Sequence, residues 1–371
     1  MILGDRQGKG GGGIKRGFCP TPNFVPMRIY SFLIVILAGT LVSCSGPMKY
    51  HFQEGPVYGS TYHLYYEYPE GKSLEKDILA VLKRIDASMS TYDPGSLLSR
   101  LNRNDSTARL DADLERVLKA GFDVSEKSDG AFDMTVAPLV NAWGFGFAAR
   151  EKMTPQIVDS LLKFTGYKMV TIQDGLLVKD DPRIMLDVNA IAPGYASDVI
   201  SKLFDSKGIR NYLVEIGGEL RCLGVNEKGI PWRVGIDKPL ENALEREIEQ
   251  VLMMSRGSVA TSGNYRKFYE EDGVKYSHTI DPKTGYPARS NLLSATVVTD
   301  ECIYADAWAT VFMVIGLEKA IQLSQKLGGM EVLFIYSDEE GNLKEWQSPG
   351  MEALIYKSST AAQEQPNPQS R

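Results

Sequence analysis

Residues 62–90, YHLYYEYPEGKSLEKDILAVLKRIDASMS, change period in mid-stretch. Tyr62–Tyr68 is dense in strand-forming aromatics, whereas Ser73–Ser90 repeats its apolar residues at helical spacing, so a strand runs into a helix. Further helices are expected at Ala112–Ser128, at 194–208 closed by Gly208, and at 154–166, with Thr154 as N-cap, Pro155 at the first helical position and Gly166 just past the end. Between them lie short β-type runs: GLLVKD (175–180), NYLVEIGG (211–218), PWRVGID (231–237), SVATSG (258–263), SATVVTD (294–300) and EVLFIYSD (331–338). Helices mix with hairpin-like strand pairs and do not alternate strictly with strands. This order predicts an α+β fold, a single compact unit over 50–357 with largely antiparallel sheets and packed helices. The polar, Pro-containing segment 358–371 reads as a disordered tail.

The chain has 371 residues, 43% of them hydrophobic, which is enough for a sizeable core. A net charge of −6 with no basic run argues against nucleic acid as a partner.

MRIYSFLIVILAGTLVSC (27–44) has one arginine, an apolar stretch and small residues before a cysteine, the pattern of a secretion signal. Phe32–Val42 supplies only about half of the ~20 apolar residues a membrane span needs. Leu41-Val42-Ser43-Cys44 resembles a bacterial lipobox, so 1–43 is expected to be a leader, Cys44 a lipidated N-terminus, and 44–49 a short linker. The Gly-rich segment ahead of Met27 matches neither part of a signal, and Met27 is the expected start. The expected location is the cell envelope, facing the periplasm and held to a membrane by the lipid. Cys222 and Cys302 remain in the mature chain without metal-binding spacing. Cys222 sits in a strand-like run, which favours a buried free thiol over the disulfide that export would permit.

Several stretches combine a turn with a reactive side chain. In YADAWATVFMVIG (304–316), Asp306 and Thr310 fall on one helical face, one turn apart. Asp306 reads either as an acid favoured by a helix N-terminus or, with Thr310, as an oxygen ligand to a hard cation such as Mg²⁺. Trp308, Val311, Phe312, Val314 and Ile315 leave no broad polar face to solvate the acid, and an unpartnered buried carboxylate is costly, so the cation reading gains. His278 precedes the turn-forming IDPKTGYP; it is a general base with Asp281 as orienting partner, or a solvated loop residue. The glycines of EIGGEL (215–220) permit close approach of a ligand or of packed backbone. GAFD (130–133), NAWGFG (141–146) and Tyr92 beside Pro94-Gly95 suit a planar ligand or simple core closure.

Taken together, M-S-x-Y, G-x-F-D, G-Y-x-x-D, I-G-G-E, T-S-G-x-Y, H-x-I-D-P-x-T-G and A-D-x-x-x-T occur in the order found in one family, over roughly Tyr58–Phe334. The chain resembles the ApbE-type FAD:protein FMN transferases. The resemblance implies cleavage of FAD at its pyrophosphate, transfer of the FMN phosphoryl group to a threonine or serine hydroxyl of an acceptor redox protein, and release of AMP. It implies Mg²⁺ at Asp306, Thr310 and the Ala190 carbonyl. It also implies FAD contacts at Tyr58, Tyr92, Ala131, Phe132, Asp133, Asp187, Thr279 and position 193, His278 as base, and Thr261–Tyr265 along the same pocket. Two departures stand out. Pro193 occupies a position where the family often has lysine, and Glu215 replaces the asparagine of the family's N-x-G-G-D. Hydrolysis of FAD to FMN and AMP, and FAD binding without cleavage by a lipoprotein, are the alternative functions.

Overall fold

The structure, a computed structural model, describes residues 47–146, 150–239, 247–264, 268–271 and 274–357. The leader, Cys44, Tyr265 and the 358–371 tail lie outside the described residues. From Pro47 onward the chain forms one compact unit.

In chain order, the hairpin β1 (Met48–Val57) and β2 (Ser60–Pro69) is followed by α1 (Glu75–Met89), α2 (Leu97–Asn102), α3 (Ala112–Lys127), α4 (Ala137–Ala142) and α5 (Pro155–Leu162). The small hairpin β3 (Val170–Gln173) and β4 (Leu176–Lys179) leads to α6 (Ala192–Ser206) and then to β5 (Tyr212–Ile216), β6 (Glu219–Leu223), β7 (Trp232–Asp237), β8 (Ile248–Met254) and β9 (Arg256–Gly263). The pair β10 (Phe268–Glu271) and β11 (Val274–Ser277) precedes β12 (Leu292–Thr299), α7 (Cys302–Ile315), α8 (Leu317–Leu327), β13 (Glu331–Ser337), β14 (Leu343–Gln347) and α9 (Pro349–Leu354).

Eight strands form one sheet in the order β1-β2-β5-β6-β9-β12-β13-β14, with every neighbouring pair antiparallel. The expected α+β class with antiparallel sheet is what the chain adopts. β2 shows how the pattern places the core: Tyr62, Leu64 and Tyr66 are buried on one face while Tyr65 between them stays exposed. Tyr66 packs on Phe204 of α6 at 4.8 Å, and full burial of Leu64 contributes about 2 kcal/mol. α6 and α7 cover this face, α7 lying on β9 and β12. The opposite face is closed by β7–β8 and α9 around Trp232, Leu252 and Met351.

Two boundaries differ from expectation. β1 begins at Met48, inside the expected 44–49 linker, because it pairs along its whole length with β2. α5 ends at Leu162, short of Gly166: the Phe164 N–H reaches back to the Leu161 carbonyl at 3.2 Å and the Thr165 hydroxyl donates to the same oxygen at 3.0 Å, tightening the last turn. The Thr154 cap and Pro155 are as expected. Cys222 and Cys302 are both free and buried.

Candidate active site

α7 is buried nearly all round, which accounts for its apolar sequence, and Asp306 is only 5% exposed. The Asp306 carboxylate has a structural partner: its Oδ2 accepts the Gly194 N–H of α6 at 2.9 Å. The contact depends on glycine, since a Cβ at position 194 would lie 2.4 Å from the Cys302 carbonyl oxygen. Withdrawal from water pushes the Asp306 carboxyl up to about 7, with the Gly194 hydrogen bond opposing the shift only in part. The exchange is reciprocal, because Asp198 of α6 accepts the Cys302 and Ile303 N–H groups that open α7, each at 3.0 Å. Asp198 is also paired with Arg221 of β6.

Thr310, one turn beyond Asp306, lies 3.3 Å from the Ser262 hydroxyl of β9, in the T-S-G stretch. Ala190 sits in the tight turn just before α6. These donors are all oxygens, with a single carboxylate that is poorly solvated, and they fit a hard divalent cation that keeps part of its water shell. Among the described residues there is no cluster of three or more His, Cys, Asp and Glu that would suit another metal.

The first turn of α6 has few amides left for an anion. Ile191 and Ala192 both donate to the Val188 carbonyl, Pro193 has no N–H, and Gly194 donates to Asp306. The usual capture of a phosphate by free amides at a helix N-terminus is therefore largely closed here.

The remaining stretches are knitted together through backbone. Asn102, which closes α2, bonds both the N–H and the C=O of Leu186, at 2.8 and 2.9 Å. The next residue, Asp187, donates its N–H to the Met134 carbonyl at 2.7 Å. Ala131, Phe132 and Asp133 are buried. Asp133 Oδ1 accepts from the Thr135 N–H and hydroxyl and its Oδ2 from the Tyr167 N–H, so both oxygens have structural partners. Burial raises the carboxyls of Asp133 and Asp187 above the usual range. Tyr58, in the β1–β2 turn, donates its hydroxyl to the Leu82 carbonyl of α1, and Tyr92, just beyond the end of α1, is 67% exposed.

His278 opens the loop H-T-I-D-P-K-T-G, half-buried with its ring edge-on to Phe145 at 6.4 Å. Asp281 structures its own turn by accepting the Lys283 N–H at 2.9 Å. The loop is fixed from both sides: the Thr279 carbonyl accepts the Ala288 N–H, and Trp143 Nε1–H donates to the Gly285 carbonyl, both at 2.8 Å. Ile280 joins Leu139, Trp143 and Val158 in a small separate core, and Lys283 pairs with Asp129 at 2.6 Å, tying the loop to the turn before Ala131.

Asp306, Thr310, Pro193 and Ser262 thus gather at the junction of α6, α7 and β9. The described contacts do not link Tyr58 or Tyr92 to that junction. Sequence reasoning missed Asp198 and Asn102, although Asp198 is the last residue of G-Y-x-x-D.

The sequence model of the ApbE family matches residues 58–334. A FAD:protein FMN transferase of Vibrio cholerae is 36% identical over 332 residues, covering 87% of this chain and 97% of its own length. One from Escherichia coli K12 is 35% identical over 290 residues, covering 76% and 82%. Among solved structures, the flavin transferase ApbE from Vibrio cholerae superposes with a TM-score of 0.75 at 35% identity, covering 83% of this chain and all of that one. The flavinyl transferase ApbE of Pseudomonas stutzeri, in its apo form, gives 0.74 at 31% identity, covering 83% and 97%.

Proposed function

This chain belongs to the ApbE family, and on that premise we propose that it is an enzyme that transfers the FMN moiety of FAD to a threonine or serine hydroxyl of an acceptor redox protein, releasing AMP, with Mg²⁺ as cofactor. The observation that carries the reading is the buried Asp306 carboxylate one turn below Thr310, against a helix N-terminus whose amides are already engaged. Asp306, Thr310 and the Ala190 carbonyl would hold the ion, which supplies charge neutralisation to the pyrophosphate oxygens.

His278 accepts the proton of the acceptor hydroxyl as its oxygen attacks the FMN phosphorus; the P–O bond to AMP breaks and AMP leaves. Neutral imidazole suits this role near neutral pH. The clamp of Trp143 on Gly285 keeps the histidine's loop in one conformation, so little ordering remains for the reaction. The buried Ala131–Asp133 turn and Asp187 form a rigid wall for the nucleotide, and Tyr58, Tyr92 and Thr279 are further FAD contacts. Cys44 carries the lipid that anchors the protein to a membrane of the cell envelope, facing the periplasm.

Incubation with FAD and Mg²⁺, with and without an acceptor redox protein, tests the reading by AMP release. Release only with acceptor supports transfer. Release without it makes the protein a hydrolase, and no release leaves a flavin carrier, the outcome to which the loss of a cation at Pro193 points.

A further inference from the structure

Pro193 and Glu215, the two departures from the family pattern, both border the Gly217–Gly218 turn, Pro193 beside Gly217 and Glu215 through the Gly218 N–H. A Cβ placed on Gly217 would stand 3.6 Å from the Pro193 Cβ, so the Gly217–Gly218 turn rests on the first turn of α6. Both glycines have positive φ, +71° and +114°, a backbone that a residue with a side chain would strain.

Three bonds hold this turn. The Gly217 N–H donates to the Thr61 carbonyl at 3.0 Å, and the Gly218 N–H donates to Glu215 Oε1 at 2.7 Å. The other Glu215 oxygen, Oε2, accepts from His63 Nδ1, directly across the β2–β5 pair. An ionised carboxylate only accepts, so Nδ1 carries the proton. On its other side His63 faces Glu54 Oε2 at 3.7 Å and stacks on Phe52 at 6.5 Å, both from β1. An asparagine at 215 would be one methylene shorter and neutral. The longer, charged arm of glutamate needs a fixed partner to stay over the Gly218 amide, and His63 supplies it.

We propose that His63 and Glu215 are positioning residues: as a charge-assisted pair they fix the Gly217–Gly218 turn against Pro193 and so set the affinity of this chain for FAD. The inference rests on the transferase reading, under which the start of α6 lies beside the nucleotide. A turn without side chains permits a ligand beside the start of α6 to approach the backbone closely, and under the transferase reading its conformation then bears on binding directly.

The test uses Mg²⁺-loaded full-length protein as wild type, His63→Ala, Glu215→Ala, the double variant and Glu215→Gln. FAD affinity is measured by calorimetry and amide exchange is followed over 212–223. In either single alanine variant the Gly217 and Gly218 amides should exchange faster and the Kd for FAD should rise about tenfold. The double variant should lose no more than either single one, because both act through the same turn. Glu215→Gln, which keeps an oxygen for the Gly218 N–H, should recover most of the affinity. Wild-type affinity in His63→Ala, or a double-variant loss equal to the product of the two single losses, overturns the inference alone. A wild-type protein that does not bind FAD overturns the transferase reading and this inference together.

Discussion

Asp198 caps the helix that carries Asp306, and Asp306 bonds the first turn of the helix that carries Asp198. The proposed metal ligand is thus placed by the same contact that joins the two helices, and the site inherits its geometry from the core. Replacing Asp198 with asparagine removes one of two amide acceptors and strips Arg221 of its counter-charge. Breaking such a pair should cost about 3 kcal/mol, measurable by urea unfolding. A loss below 1 kcal/mol would mean that solvent replaces the cap.

Asp306 predicts a link between metal, proton and stability. Its folded value of about 7 lies above the ordinary 3.8, so between those pH values the folded state holds a proton that the unfolded state lacks. Stability of the metal-free protein from this group is greatest at low pH and falls through that window as pH rises, by at most ~1.4 kcal/mol per unit. Mg²⁺ needs the carboxylate, so its stabilisation should grow from pH 5 to pH 8 in thermal melts and vanish in Asp306→Ala. That variant should also lose turnover while retaining part of its FAD affinity. A pH-independent Mg²⁺ effect would place the ion elsewhere.

His278→Gln should keep FAD affinity and lose about 10²–10⁴-fold in transfer to an acceptor, with the wild-type rate falling on the acid side as the imidazole is protonated. Trp143, Gly285 and Ile280 hold the loop independently of position 278's ring chemistry, so the variant should fold normally. Wild-type transfer rates at saturating FAD would remove the histidine from the chemistry.

Cys44→Ala should release the protein from membranes without changing transfer, since the proposed lipid anchor at Cys44 precedes the compact unit that begins at Pro47. Stable anchoring by lipid takes more than one acyl chain. Retention in the membrane fraction after a high-salt wash would refute the lipobox reading.

The antiparallel sheet was legible because its strands alternate or run apolar between clear turns, and α7 because an acid stood out in an apolar run. What could not be read were relations between distant residues. That Asp198 faces Cys302, or that Asn102 faces Leu186, is fixed by packing across more than 80 residues of chain, with no periodic signal to announce it. The spacing of Asp281 from His278 suggests an orienting role, and the structure adds what spacing does not show, that Asp281 also accepts the Lys283 N–H of its own turn.

Burial that keeps Cys222 and Cys302 free also makes them chemically silent. The Cys222 thiol is pushed up to about 12 and that of Cys302 well above its ordinary value, so neither forms appreciable thiolate at neutral pH while the fold is closed. Alkylating reagents and oxidants can reach them only when the sheet opens, so the rate of covalent labelling is an intrinsic clock of global opening. Any condition that slows this clock, bound FAD and Mg²⁺ included, reports its stabilising effect without an engineered probe.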